Sequence, residues 1–293
     1  MIPKIEINPE TCNKCGSCVQ VCAEGVFEKQ DKASLPVAAH PERCFFCGQC
    51  VAVCPGDAIT HHGFEMDNFP PFTAEMDIGP DALLGFVRMR RSVRNYNQKR
   101  PVPREMVEKL FDAARYAPTG SNVQSLEHIV ITDRETMDAL ARHCVEFFGK
   151  RVTLSQDEKA LSALDPRVAS RIRAELPFYE RVISEHKAGQ DPFFYRAPVL
   201  IVTHADLTIT PCPLEDATLA SYQMMLMAQS LGLGTCYIGN FYEYANESQA
   251  VREMLALPPE HDILISFTLG YPAVRFRKLV DRKKPTVRWL GRQ

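Results

Sequence analysis

The 293-residue chain lacks an excess of charge of either sign: 34 Lys and Arg stand against 36 Asp and Glu, a net charge of -2. Without a global basic field nothing recruits a nucleic-acid backbone or an anionic membrane, so partners must be recognised locally. Long apolar runs are missing too. Ala197-Pro198-Val199-Leu200-Ile201-Val202 falls far short of the about 20 residues that a bilayer-spanning helix needs. The start, Met1-Ile2-Pro3-Lys4-Ile5-Glu6, has no apolar h-region, so a cytoplasmic protein is expected. There is no Walker loop. Gly232-x-Gly234 does not begin a dinucleotide fingerprint, because the third Gly is misplaced and no strand-to-helix turn is expected after it. What remains, 45% hydrophobic and 24% charged, is an ordinary globular composition, long enough for one large domain or two modest ones.

Cysteine is scarce over most of the chain and concentrated at its start. Eight of the 11 precede residue 55, and only Cys144, Cys212 and Cys236 follow. In a reducing compartment such clustered thiols read as metal ligands rather than a disulfide framework. Residues 9–22 align without a gap on the stretch 32 positions later, with nine of fourteen positions identical, among them Pro9/Pro41, Cys12/Cys44, Gly16/Gly48 and Cys22/Cys54. Each copy has the spacing C-x2-C-x2-C-x3-C, and Pro55 completes the bacterial iron-sulfur run in the second; Ala23 departs from it in the first. Zinc is the rival reading, but zinc ribbons use two C-x2-C pairs per metal rather than a triplet plus one. Residues 1–62 resemble the two-cluster bacterial ferredoxins. By the ligand exchange of that group, Cys12, Cys15, Cys18 and Cys54 hold one 4Fe-4S cluster, and Cys44, Cys47, Cys50 and Cys22 hold the other.

Residues 63–82, rich in Pro, Gly, Phe and acidic residues, read as a surface linker to a second domain over 83–293. Apolar periodicity predicts helices at 81–90, 103–116, 134–148, 155–188, 214–231 and 247–256, and strands at 128–132, 198–203, 237–238 and 263–269, giving one sheet wrapped by helices. His61-His62 reads as a solvated linker pair, Met224 to Met227 as packing, and Cys144, Cys212 and Cys236 as buried packing residues.

Local charge is another matter. Seven Lys or Arg and no acid lie between Arg88 and Arg104, and eight more lie between Arg275 and Arg292. The compact Arg90-Arg91-Ser92-x-Arg94 offers guanidinium forks and a hydroxyl, the donors a phosphate needs. Four ordered blocks then carry a resemblance: Arg90 to Tyr96, Ala117 to Gln124, Leu231 to Gly239, and Leu269 to Pro272. They resemble the nitroreductase family of FMN enzymes, and with the front half the chain resembles the ferredoxin-fused branch of that family.

The resemblance implies an α+β fold: a ferredoxin-like two-cluster domain followed by a nitroreductase-like α/β/α sandwich, dimerising with itself around two FMN sites. It implies that Arg90, Arg91, Ser92 and Arg94 hold the FMN phosphate and ribityl chain or support the ring. Pro118, Thr119, Gly120, Asn122 and Gln124 would reach the flavin from the partner subunit, the Ile238-Gly239 turn would lie beside the ring, and Arg282 would close on the phosphate. Ser125-Leu126 replaces the family's frequent Pro-Trp on the substrate side. The expected function is an iron-sulfur flavoprotein oxidoreductase passing electrons from two 4Fe-4S clusters to FMN and on to a small organic acceptor, a nitroaromatic or quinone. No side chain is nominated as catalytic, because the flavin's chemistry is its own. An external ferredoxin or other low-potential donor would feed it. The rival readings are a module delivering electrons to a partner protein, a dehydrogenase reducing an external ferredoxin, and an NAD(P)H-fed nitroreductase. The stretch 155–188 is a candidate lid.

Overall fold

The computed structural model describes residues 2–291, leaving out the side chain of Glu243; Arg292, counted in the basic C-terminal stretch, lies outside the described residues. The chain divides into two compact units: a first running to Gly79 and including Ser121–Val123, and a second made of Pro80–Gly120 and the chain from Gln124 on.

The first unit repeats in space as it repeats in sequence. Its elements are β1 (Ile5–Ile7), α1 (Ser17–Val21), β2 (Phe27–Glu28), β3 (Val37–Ala38), α2 (Gln49–Ala52) and β4 (Ile59–His61). Strand β1 pairs antiparallel with β4, and β2 with β3, so each small sheet takes one strand from each half. Left-handed backbone recurs at the same interval: Lys14 and Phe46 (φ 61° and 57°), Gly16 and Gly48 (78° and 72°), Gly25 and Asp57 (64° and 47°). Gly16 and Gly48 start the two helices, where a Cβ would be strained. Val26, Phe27 and Ile59 form the small core with the buried Cys18 and Cys50. The first residues after β4 are packed rather than free: Phe64 lies 4.5 Å from His61 and 5.4 Å from Phe69 by ring centroids.

The second unit is a four-stranded antiparallel sheet with helices on both faces. It contains α3 (Pro80–Met89), α4 (Arg104–Ala114), β5 (Glu127–Ile131), α5 (Arg134–Ser155), α6 (Glu158–Ser162), α7 (Pro166–Lys187), β6 (Val199–Asp206), α8 (Pro213–Ser230), β7 (Gly234–Tyr237), α9 (Gly239–Glu247), α10 (Gln249–Met254) and β8 (His261–Gly270), with sheet order β5-β6-β8-β7. Buried on both faces, β6 reads as a continuous apolar run. Its alternation divides the core: Val199 and Ile201 pack with Leu110, Ala220 and Met224 of α4 and α8, whereas Leu200 and Val202 pack with Leu140, Tyr179 and Phe241 of α5, α7 and α9. The α/β/α sandwich expected from the resemblance is present.

The structure differs from the sequence expectations in several places, and β7 runs over Gly234–Tyr237 rather than 237–238. Helix α5 continues to Ser155. The stretch read as one helix over 155–188 is broken, because Asp165 caps α7 by accepting from the Arg167 N–H and Pro166 sits at its first position. That stretch is core as well as cover: α7 buries Ala169, Ile172, Tyr179 and Val182. Helix α9 was not expected; it follows β7 directly, so a strand-to-helix turn does occur at Ile238. Helix α8 stops as expected, with left-handed Gly232 (φ 74°) and the Gly232 and Leu233 N–H groups donating to Gln229 and Ala228.

Candidate functional site

In the first unit seven of the eight clustered cysteines fall into two electrostatic groups. Cys18 feels Cys12 and Cys15, whereas Cys50 feels Cys47, Cys44 and also Cys22. Cys44 likewise feels Cys47 and Cys22. Cys22 therefore lies with the second triplet. Cys22, Cys44, Cys47 and Cys50 line one cavity of about 50 Å³. Burial pushes the Cys50 thiol up to about 12, with the neighbouring sulfurs adding to the rise. A bare thiolate is disfavoured there, and only a coordinated metal would deprotonate it outright. Backbone amides already aim at sulfur: Val26 N–H at Cys22 Sγ (3.4 Å), Phe46 N–H at Cys44 Sγ (3.4 Å) and Ala58 N–H at Cys54 Sγ (3.2 Å). All eleven cysteines are free. A triplet plus one sulfur, with N–H donors turned on the ligands, fits an iron-sulfur cluster.

His61 corrects the reading of a solvated pair. Only 1% exposed, it sits at the end of β4 against Phe46 and Phe64. Its Nδ1 accepts from the Gly63 N–H at 3.1 Å, so Nε2 carries the proton and donates to Cys44 Sγ at 3.5 Å. Its exposed neighbour His62 pairs with Glu6 at 2.6 Å.

In the second unit the Arg90–Asn97 segment is stitched to the sheet edge. Val93 N–H donates to Thr235 O (2.9 Å), Asn97 N–H to Tyr271 O (2.8 Å), and the Tyr96 and Thr268 hydroxyls are 2.8 Å apart in the core. Val93 turns inward, and Ser92 and Arg94 on either side of it share the opposite face. Cys236 of β7 reports that face: burial pushes its thiol up, and Arg94, Ser92 and Arg90 each pull it down. Ser92, Arg94 and Gly239 are exposed, and a Cβ on Gly239 would meet nothing within 4 Å. Arg91 is turned the other way. Its Nη1 donates to the carbonyls of Arg88 (2.6 Å) and Arg90 (2.7 Å), closing the end of α3, while its Nε is buried without a partner. Two cationic forks, those of Arg90 and Arg94, and the Ser92 hydroxyl on that face fit a phosphate.

A cavity of about 690 Å³ lies on the Val93 side, lined by Arg90, Arg91, Gly234, Arg275, Arg277 and Lys278 among others. It does not reach Gly239, so the Arg90–Ser92–Arg94 face is the better match to the sequence-derived site, with Arg90 common to both. Arg282 is exposed, bonded to the Asp281 carbonyl (3.0 Å) and outside that lining.

Residues 117–124 carry strain that the sequence did not reveal. Ser121, Asn122 and Gln124 all have positive φ (51°, 53°, 53°), costly for L-residues other than Asn and Gly. Thr119 Oγ1 accepts from the Gln124 N–H at 3.1 Å, and the Gly120 N–H donates to Asp216 Oδ1 at 3.0 Å. Asp216 was missed by sequence reasoning, being one of two acids in the first turn of α8; it is 3% exposed and its Oδ2 has no partner. Within the first unit the Asn122 amide donates to the carbonyls of Phe45 (2.9 Å) and Phe46 (2.8 Å). Of the other cysteines, Cys144 and Cys236 are buried as expected, whereas Cys212 is exposed because it caps α8 from outside the helix.

Comparison with known proteins places these features. Residues 87–271 match the nitroreductase family, and residues 4–55 match the 4Fe-4S dicluster domain. A 4-nitrobenzoate reductase of Nocardioides sp. is 29% identical over 204 residues, covering 65% of this chain and 81% of the relative. An NADH dehydrogenase of Thermus thermophilus is 27% identical over 190 residues, covering 63% and 83%. A nitroreductase of Bacteroides fragilis solved with bound FMN superposes with a TM-score of 0.52 at 22% identity, covering 70% of this chain and 97% of that one.

Proposed function

The chain belongs to the nitroreductase family of oxidoreductases, and from that premise we propose that it is an iron-sulfur flavoprotein that draws on two 4Fe-4S clusters and FMN to reduce a small organic acceptor such as a nitroaromatic or quinone. The observation that supports this reading is the grouping of Cys22 with Cys44, Cys47 and Cys50 around one cavity, a triplet plus one rather than the two pairs of a zinc ribbon. FMN, when bound, supplies one- and two-electron transfer that is intrinsic to the cofactor. The chain's own groups do the rest. Arg90, Ser92 and Arg94 neutralise and orient a phosphate, Arg91, whose fork closes the end of α3, supports the segment that presents them, and the Ile238-Gly239 turn admits a flat ring close to the backbone. Pro118, Thr119, Gly120, Asn122 and Gln124 would serve the site of a second subunit in a homodimer, and Arg282 would close on the phosphate. An external low-potential donor such as a ferredoxin supplies the electrons.

Anaerobic purification with counts of iron, sulfide and FMN, followed by a reductive titration read by absorbance and EPR, tests this. About eight irons and one FMN per chain are expected; zinc at the thiols, or four irons, overturns the two-cluster assignment. A second reading, electrons from NADH or NADPH, is favoured by the name of the Thermus relative. Rapid mixing with each nucleotide decides it, prompt flavin bleaching supporting that reading and no bleaching the first.

A further inference from the structure

Three strands of the second unit bring metal-ligating side chains together away from the residues discussed above. Glu127 opens β5 and is the direct cross-strand partner of His204 on β6. His261 opens β8 on the other side of β6, two residues before Ile263, which partners His204. One register shift interrupts the β6–β8 ladder, between Thr203 and His204, where Ile263 and Ile265 are successive partners and Leu264 is left over. Such a bulge re-aims a side chain. As a result His204 and His261, only 4% and 8% exposed, meet with their Nδ1 atoms 2.8 Å apart. Glu127 Oε1 lies 3.9 Å from His261 Nε2, and one ligand atom from each of the three residues lies within 4.8 Å of the others.

We propose that Glu127, His204 and His261 form a binding site for one divalent transition-metal ion of the zinc class, independent of the cysteine centres and of the flavin reading. Two imidazole nitrogens and a carboxylate are a borderline donor set that suits zinc and leaves a fourth position open. The distances are close to what an ion requires. Ligand atoms bound at about 2.1 Å can stand no more than about 4.2 Å apart, and two nitrogens at a tetrahedral angle stand about 3.4 Å apart. The histidine pair therefore opens slightly and the carboxylate draws in slightly. Glu127 can do so because its side chain is 61% exposed, which also gives the ion its entry path. Each histidine binds through one ring nitrogen and carries its proton on the other, so both imidazoles stay neutral. Arg252 holds the backbone beneath the site, donating to the His261 carbonyl at 2.8 Å. Two nearby groups are engaged elsewhere. Asp206 accepts from the Thr208 N–H and hydroxyl, and His128 contacts Thr203 at 2.9 Å and stacks on Phe111.

The test uses the anaerobic full-length holoprotein and Zn²⁺ alone. Zinc and iron are counted after desalting, and affinity is measured by calorimetry, for the wild type, Glu127→Gln and His261→Gln. Expected is one zinc per chain with iron unchanged, binding at least about tenfold weaker in Glu127→Gln, and no zinc in His261→Gln. Equal zinc uptake by the wild type and Glu127→Gln, no retained zinc in the wild type, or zinc gained only as iron is lost would each overturn the proposal. Should His261→Gln lose its circular dichroism, the exposed Glu127→Gln decides alone.

Discussion

Gly234 is the position where packing and the predicted anion site are most tightly joined. A Cβ there would lie 2.5 Å from Val93 Cγ2, 2.8 Å from Val93 Cβ and 3.0 Å from Pro272 Cγ. Ordinary contact begins near 3.4 Å, so in Gly234→Ala the Val93 side chain must retreat by about 0.9 Å. Val93 is 5% exposed and packed with Tyr96 and Ala197, so any retreat toward the cavity that it helps to line breaks that packing. Overpacking of this kind costs about 1–3 kcal/mol, less the about 0.4–1 kcal/mol that Ala gains by restricting the unfolded chain. The net expectation is a loss of about 1–2 kcal/mol. Urea unfolding of the second unit should show a lower midpoint at unchanged slope. Because Val93 lies between Ser92 and Arg94, FMN retention should fall while the iron count does not. Gly239→Ala is the control: its Cβ meets nothing within 4 Å among the described residues, so it should be more stable than the wild type by about 0.4–1 kcal/mol. Adding Val93→Ala to Gly234→Ala should return part of the loss, a coupling of at least about 0.5 kcal/mol. If Gly234→Ala unfolds with Gly239→Ala, or the double variant is simply additive, the close approach of Val93 is not what holds this segment.

Acid should weaken the second unit through His128. Burial, with His204 nearby, lowers its imidazole from 6.5 to about 4, so between those values the unfolded chain binds the extra proton and stability falls as pH falls. The loss reaches at most about 3 kcal/mol by pH 4, is absent above pH 7, and should shrink in His128→Gln; parallel pH profiles for the two proteins would refute it. His61→Leu removes the N–H that faces Cys44 Sγ, whereas the position 32 residues earlier holds Lys29, which donates to the carbonyls of Lys14 and Lys32 instead. Hydrogen bonds to the ligating sulfurs help to set cluster potentials, so one of two EPR midpoints should move to lower potential in His61→Leu and move less in His61→Gln, which keeps a donor. An unmoved pair of midpoints would show that this contact carries no electrochemical weight.

Primary structure alone was enough to mark the iron-sulfur domain, because the grip of a loop on a small cluster is a local matter of spacing and the repeat doubles the signal at an interval of 32 residues. Apolar periodicity gave one sheet wrapped by helices, because it reports which face of each element is buried, and the sandwich itself came from the family resemblance. Boundaries were less legible: α6 and α7 were merged because their apolar period runs on through Asp165-Pro166, and α9 was hidden because Gly239 and Asn240 are poor helix formers that tertiary packing of Phe241 and Tyr244 overrides. The strand pairing decided the remainder. Adjacent in sequence, His61 and His62 were indistinguishable until β4 turned one into the core and the other to solvent. Arg91 was grouped with Arg90 until alternation along the extended segment sent its fork to the end of α3. Glu127, His204 and His261 carry no motif at all, being 77 and 57 residues apart along the chain; only the order of β5, β6 and β8 and one bulge make them neighbours. Spacing records what one loop can grip, and the sheet's register decides what distant strands can hold together.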